Sequence, residues 1–117
     1  MKLNKNNAGF DAEHIAATFL QSKGLRLITQ NYHCRFGEID LVMQDGKTLV
    51  FVEVRMRSNA AFGGAADSIT PQKQQKLILT ARHYLQQHGE QACRFDAVLM
   101  SGAQPEQVEW ICNAFSA

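Results

Sequence analysis

One stretch, Phe36 to Arg57, constrains this chain more than any other: FGEIDLVMQDGKTLVFVEVRMR. Two alternating apolar runs flank Asp45-Gly46, a pair that accepts the positive φ angles of a two-residue hairpin loop. A tight turn at Asp45-Gly46 pairs Gln44 with Lys47 and, counting back, sets Glu38 opposite Glu53 and Asp40 opposite Phe51. Side chains alternate along a strand and cross-strand partners share a face. The expected faces are therefore Glu38, Asp40, Glu53, Arg55 and Arg57 on one side, and Ile39, Leu41, Met43, Val50, Val52 and Val54 on the other. A slip in turn register would exchange the partners but leave the alternation within each strand intact.

Like charges set opposite each other on neighbouring strands cost about 0.2–1 kcal/mol, and more when partly buried. Two explanations fit such an acidic face. A divalent cation such as Mg²⁺ takes carboxylate oxygens and removes the repulsion. Alternatively, the face is solvated and Arg55 and Arg57 neutralise it.

The length of 117 residues suits one domain, 1–117, with one hydrophobic core and residues 1–7 as a loose tail. A formal charge of +1 gives no global electrostatic pull toward nucleic acid, so any such binding needs a local basic patch. Cys34, Cys93 and Cys112 lack metal-ligand spacing and read as reduced thiols of a cytoplasmic protein. No segment has the length and apolarity of a membrane span, so no membrane partner is expected.

The expected elements alternate in type. A helix runs from about Ala8 to Lys23, with Gly24 as its stop. Leu25–Tyr32 is a first strand, and the hairpin supplies two more. Ser58–Ser68, with Phe62-Gly63-Gly64, reads as a loop that could fold over a substrate or simply connect. Thr70-Pro71 opens a second helix as N-cap and first helical residue, and it continues to about His88 before Gly89. Cys93–Met100 is a fourth strand and Val108–Cys112 a fifth. The sum is an α+β (α/β) pattern, αβββαβ with an extra strand, built on a mixed central sheet flanked by helices.

The first helix carries a second anomaly. At about 100° per residue, Glu13 falls within the apolar arc beside Phe10, Ala17 and Leu20. A buried glutamate is expensive unless it is paired or bound to metal. The competing explanation is a first-turn acid that favours the helix dipole and reaches solvent.

An acidic helix residue, an acid on one hairpin strand and an acid-x-base on the next resemble the restriction-endonuclease-like nucleases, whose core order is αβββαβ. Across essentially the whole chain the sequence is similar to the YraN family of small bacterial proteins. The residues that carry the likeness are Ala12-Glu13 with Ala16-Ala17 and Leu20, Asn31, Gly37-Glu38-Ile39-Asp40-Leu41, and Phe51-Val52-Glu53-Val54-Arg55-x-Arg57. Pro71 with Lys73 and Lys76, Ala81 with Tyr84-Leu85, Arg94-Phe95-Asp96 and Asn113-Ala114-Phe115 complete it.

That resemblance implies a site for metal-dependent phosphodiester hydrolysis, with Mg²⁺ or Mn²⁺ as cofactor. Asp40 and Glu53 are the implied principal ligands. Glu13 corresponds to the helix acid that related Holliday-junction resolvases add, and the backbone carbonyl of Val54 completes the coordination. Glu38 could hydrogen-bond those ligands or take a second ion. Arg55 stands where active nucleases of this fold carry lysine. Arginine stabilises charge or clamps a phosphate, but it stays protonated and cannot act as a base. It could also pair with Glu38 or Glu53 when no metal is bound.

Arg35, Arg57, Lys73 and Lys76 are candidate phosphate contacts, each weighed against simple solvation. His14, His33, His83 and His88 show no ligand spacing. Arg94 and Asp96 read as a structural pair, and Trp110 as core or a dimer contact. The leading expectation is a Mg²⁺-dependent nuclease-like protein acting on DNA ahead of RNA, on branched or structured substrates, with a homodimer left open. The alternatives are a non-catalytic nucleic-acid-binding module that keeps the fold and a protein-interaction role.

Overall fold

A computed structural model describes residues 11–57 and 69–117. The expected tail, the helix start at Ala8 with Phe10, and the Ser58–Ser68 loop lie outside them. Helix α1 spans Ala12–Ser22, and strands β1, β2 and β3 span Arg26–Cys34, Gly37–Asp45 and Thr48–Met56. Helix α2, Pro71–His88, leads to β4, Cys93–Met100, and a short 3-10 turn at Pro105–Gln107 precedes β5, Val108–Phe115. The sheet order is β1-β2-β3-β4-β5. Among the described residues only the β3–β4 pair is parallel, as the crossover through α2 requires. This is the αβββαβ core of the restriction-endonuclease-like fold with one strand added at its edge.

Local chemistry sets the helix ends. The Asp11 carboxylate caps α1 by accepting the Glu13 and His14 N–H groups. Gly24, at φ 101°, ends it by taking a backbone conformation that a side chain would resist. Thr70 caps α2 through its hydroxyl, which accepts the Lys73 N–H at 3.1 Å. Pro71 needs no donor at the first helical position.

The helices cover opposite faces of the sheet. Ala16, Ala17 and Leu20 of α1 pack with Leu41, Met43, Val50, Val52, Val98 and Met100. Leu77, Ala81 and Tyr84 of α2 pack with Ile39, Val42, Leu49, Phe51 and Phe95. Each large side chain so buried contributes about 1.5–3 kcal/mol. The helix-covered β2 and β3 strands therefore have no wholly polar face, contrary to the hairpin expectation. Leu49 and Phe51, on the same strand as Glu53, fill the α2-side core.

The hairpin register also differs from the expected one. Asp45 pairs with Thr48 and Leu41 with Val52, so Gly46 and Lys47 form the loop. Gly46 has φ 60° while Lys47 is not among the positive-φ residues. That pattern belongs to a type II′ turn, which needs glycine at the first loop position. The two-residue shift removes Glu38 from opposite Glu53 and Phe51 from opposite Asp40. Continued one step past Leu41–Val52, it brings Asp40 beside Glu53.

The alternation expected in β2 also breaks. Ile39 packs on the α2 side and Leu41 on the α1 side, although residues two apart share a face in a regular strand. Asp40 lies between them at the end of the β2–β3 ladder. On β1 the ladder likewise steps over Asn31, whose φ of 55° turns the strand. The paired irregularity places Asp40 at a bend rather than on a flat pleat.

Candidate functional site

The bend gathers acids from three elements. Glu13 lies in the first turn of α1 with 7% exposure, and Glu53 lies in β3 with 5%. Asp40, in β2, is half-buried between them. Where β2–β3 pairing ends, the Val54 N–H donates to Asp40 Oδ2 at 2.8 Å. The carboxylate thus occupies a donor that a continued ladder would have given to a carbonyl.

The electrostatics follow from burial and like charge. Burial pushes the Asp40 carboxyl up to about 8, helped by the Glu53 charge and by the Glu13 carboxyl through charge and hydrogen bond. The Val54 N–H opposes that rise. Burial also raises Glu53, against the pull of Lys73, Arg55 and a hydrogen bond with Asp40. Arg55 NH1 stands 3.4 Å and Lys73 Nζ 3.6 Å from the same oxygen, Glu53 Oε2. Two cations from different elements therefore meet one buried carboxylate.

Among the described residues, no three Asp, Glu, His or Cys side chains form a ready-made ligand cage. The donor chemistry nonetheless suits a hard divalent cation: Asp40, Glu53 and Glu13 supply carboxylate oxygens. Their mutual repulsion is what such an ion would relieve, and Glu53 already draws two positive groups. The residues present fit a Mg²⁺ or Mn²⁺ ion.

The other residues singled out from the sequence lie around this cluster. Val54 offers its backbone N–H to the Asp40 carboxylate. Glu38 is exposed and pairs across from His33. Arg57 forms an ion pair with Glu109 of β5 at 2.9 Å and donates its backbone N–H to the Met100 carbonyl. Arg35 is exposed at the β1–β2 turn, with its guanidinium 4.9 Å from the centre of the Phe36 ring. Lys76 is exposed on α2.

That turn lies close against α2. A Cβ on Gly37, whose φ is 152°, would meet Thr80 Oγ1 at 3.2 Å and Lys76 Cβ at 3.7 Å. Glycine is therefore what lets the segment bearing Arg35 approach the helix bearing Lys73 and Lys76.

Arg94 and Asp96 are structural, as the sequence suggested. The buried Asp96 carboxylate accepts Arg94 Nε at 3.0 Å, Trp110 Nε1 at 2.9 Å and the Asn113 N–H at 2.9 Å. Trp110 is thereby tied to β4. Of the histidines, His83 shares a hydrogen bond with the Tyr32 hydroxyl, and His33 and His88 bond backbone carbonyls through Nδ1. All three cysteines are free. No helix among the described residues is long and apolar enough to cross a membrane.

The sequence did not reveal the Lys73–Glu53 contact. Lys73 was legible as a basic residue one turn into a capped helix, but no local pattern links it to β3. Its signal was the strong start at Thr70-Pro71, which fixes where the first-turn side chains of α2 begin.

Comparison with known proteins agrees with the likeness seen in the sequence. The Uncharacterised protein family UPF0102 matches residues 12–100. A UPF0102 protein of Methylobacillus flagellatus is 62% identical over 109 residues, covering 93% of this chain and 96% of its own. One from Nitrosomonas europaea is 62% identical over 110 residues, covering 93% of each chain. One from Aeromonas hydrophila is 54% identical over 107 residues, covering 88% of this chain and 80% of its own. The matched region contains Glu13, Asp40, Glu53, Arg55 and Lys73, and the chain belongs to the UPF0102 (YraN) family.

Proposed function

We propose that this protein is a metal-dependent nuclease-like phosphodiesterase acting on DNA, with branched or structured DNA as the favoured substrate class. The observation that carries this reading is the convergence of Glu13, Asp40 and Glu53 at a break in the sheet, with Arg55 and Lys73 on Glu53. A purely structural site would gain by replacing such acids with apolar or neutral residues.

Asp40 and Glu53 would hold a Mg²⁺ or Mn²⁺ ion, with Glu13 as the third carboxylate and the Val54 carbonyl as a backbone ligand. A divalent ion there supplies Lewis acidity toward a phosphoryl oxygen and eases ionisation of the attacking water. In hydrolysis the water oxygen forms a new bond to phosphorus, the bond to the leaving sugar oxygen breaks, and that oxygen takes a proton. The phosphorus centre gains negative charge on the way. The Arg55 guanidinium would stabilise that charge. Arg35 and Lys76, on adjoining segments, would hold the flanking backbone by charge.

A second reading rests on Arg55 standing at the position where related active nucleases carry lysine. In it, the chain binds nucleic acid at the same place without cutting. The deciding assay offers duplex, single-stranded, flapped and four-way-junction DNA with Mg²⁺ or Mn²⁺ to the wild type and to Glu53→Gln. Cleavage lost in Glu53→Gln supports the nuclease and identifies its substrate. Salt-dependent binding without cleavage on any substrate supports the binding module and refutes the enzyme.

A further inference from the structure

Glu53 has two cations on one oxygen, and they differ in how freely they can leave. Arg55 belongs to the same strand as Glu53, two residues on, so its reach is set by β3. Lys73 comes from another element, in the first turn of α2, with its backbone N–H held by the Thr70 hydroxyl. The Gln74 side chain further ties this turn to the Ile69 carbonyl at 3.0 Å. The backbone is thus fixed while the side chain, 34% exposed, spans from solvent to a carboxylate that is 5% exposed.

We infer that Lys73 is a transferable cation: it neutralises Glu53 while no metal is bound, and turns to the substrate phosphate once a divalent ion takes Glu53. This inference rests on the metal-site reading above. Charge accounting motivates it. Three buried or half-buried acids need compensation in the metal-free protein, and a divalent ion makes the Lys73 charge surplus at Glu53. The surplus ammonium lies at the N-terminal end of an 18-residue helix, where N–H groups and the helix dipole already favour an anion. A lysine suits the transfer because its ammonium is a compact charge on a flexible stem, whereas a guanidinium stays with a planar partner.

Two consequences separate this from a static ion pair. Lys73 must compete with metal for Glu53, and metal must strengthen phosphate binding through Lys73. The test measures Mn²⁺ binding by calorimetry, and binding of fluorescent junction DNA with EDTA or with Ca²⁺, for wild type, Lys73→Gln and Asp40→Asn. Removing Lys73 should tighten Mn²⁺ binding about three- to tenfold in the absence of DNA. In the wild type Ca²⁺ should tighten DNA binding about tenfold and steepen its salt dependence by about one phosphate contact. Lys73→Gln should lose that gain.

Weaker Mn²⁺ binding by Lys73→Gln, or an undiminished Ca²⁺-dependent gain, overturns the transfer while leaving the metal site standing. Mn²⁺ binding that is absent from the wild type, or unchanged in Asp40→Asn, overturns the metal site and the transfer with it. Thermal unfolding of each variant checks the fold. Lys73 is partly exposed on a helix with an intact cap, so its replacement leaves the core untouched.

Discussion

Replacing Asp40 by asparagine should stabilise the metal-free protein, by an amount that grows with pH. In the fold, burial and the Glu53 charge lift the Asp40 carboxyl from 3.8 to about 8. The unfolded chain gives up this proton at a lower pH than the folded chain does. Between those two values unfolding releases a proton, so stability is fully present below the lower value and is lost as pH rises through the upper one. Each pH unit carries ~1.4 kcal/mol. Relative to strong acid, the carboxyl therefore withholds about 2 kcal/mol at pH 5 and up to about 4 kcal/mol at pH 7.

Asparagine abolishes this pH-dependent cost and keeps an oxygen to accept the Val54 N–H. It also desolvates an amide and changes the hydrogen bond to Glu13, a cost of ~2 kcal/mol. The net gain is then near zero at pH 5 and ~2 kcal/mol at pH 7. In a domain of this size ~2 kcal/mol corresponds to about 8 °C in Tm. Thermal unfolding by circular dichroism in EDTA, at both pH values, reads the difference. A variant less stable than wild type at pH 7, or a gap equal at both pH values, would refute the reasoning. Either result would mean that the cations on Glu53 already neutralise the cluster and Asp40 ionises without penalty.

Other expectations follow from the same geometry. Because metal must displace the Asp40 proton, Mn²⁺ affinity should climb by about tenfold per unit from pH 6 toward 8, and a flat calorimetric profile would contradict this. Saturating Mn²⁺ should raise the wild-type Tm and leave that of Asp40→Asn unmoved, since only a binding-competent fold is stabilised. Gly37→Ala should cost about 1–3 kcal/mol in urea unfolding, because its Cβ would press on Thr80 Oγ1 from a φ of 152°. Wild-type stability in that variant would show that the turn has room to move. Asp96→Ala should cost about 3–5 kcal/mol, since it strips a carboxylate from Arg94, Trp110 and the Asn113 N–H. A loss below 1 kcal/mol would mean that these donors find other partners.

The candidate site was legible as a set of residue types rather than as an arrangement. Glu13 was conspicuous because a carboxylate interrupted an apolar helical arc, and it is buried. Asp40 and Glu53 stood out as acids within apolar strands. Their direct adjacency was not legible, since the expected turn set Glu38 opposite Glu53. Gly46 could serve as the second residue of one turn type or the first of another, and the sequence at the turn admits both. Burial of the strands on both faces weakened the alternation that would otherwise have decided between them.

Local interactions explain what the sequence by itself determined. Thr70-Pro71, Gly24 and Gly89 mark helix ends because caps and positive φ angles depend on a few neighbouring residues. Strand β4 and helix α2 begin and end where their patterns do. Tertiary structure alone decided the two-residue register shift, the bend that sends Ile39 and Leu41 to opposite helices, and the arrival of Lys73 at Glu53. Each depends on which distant surfaces must be buried together. That energy is shared across the whole sheet and both helices, and no window of sequence contains it.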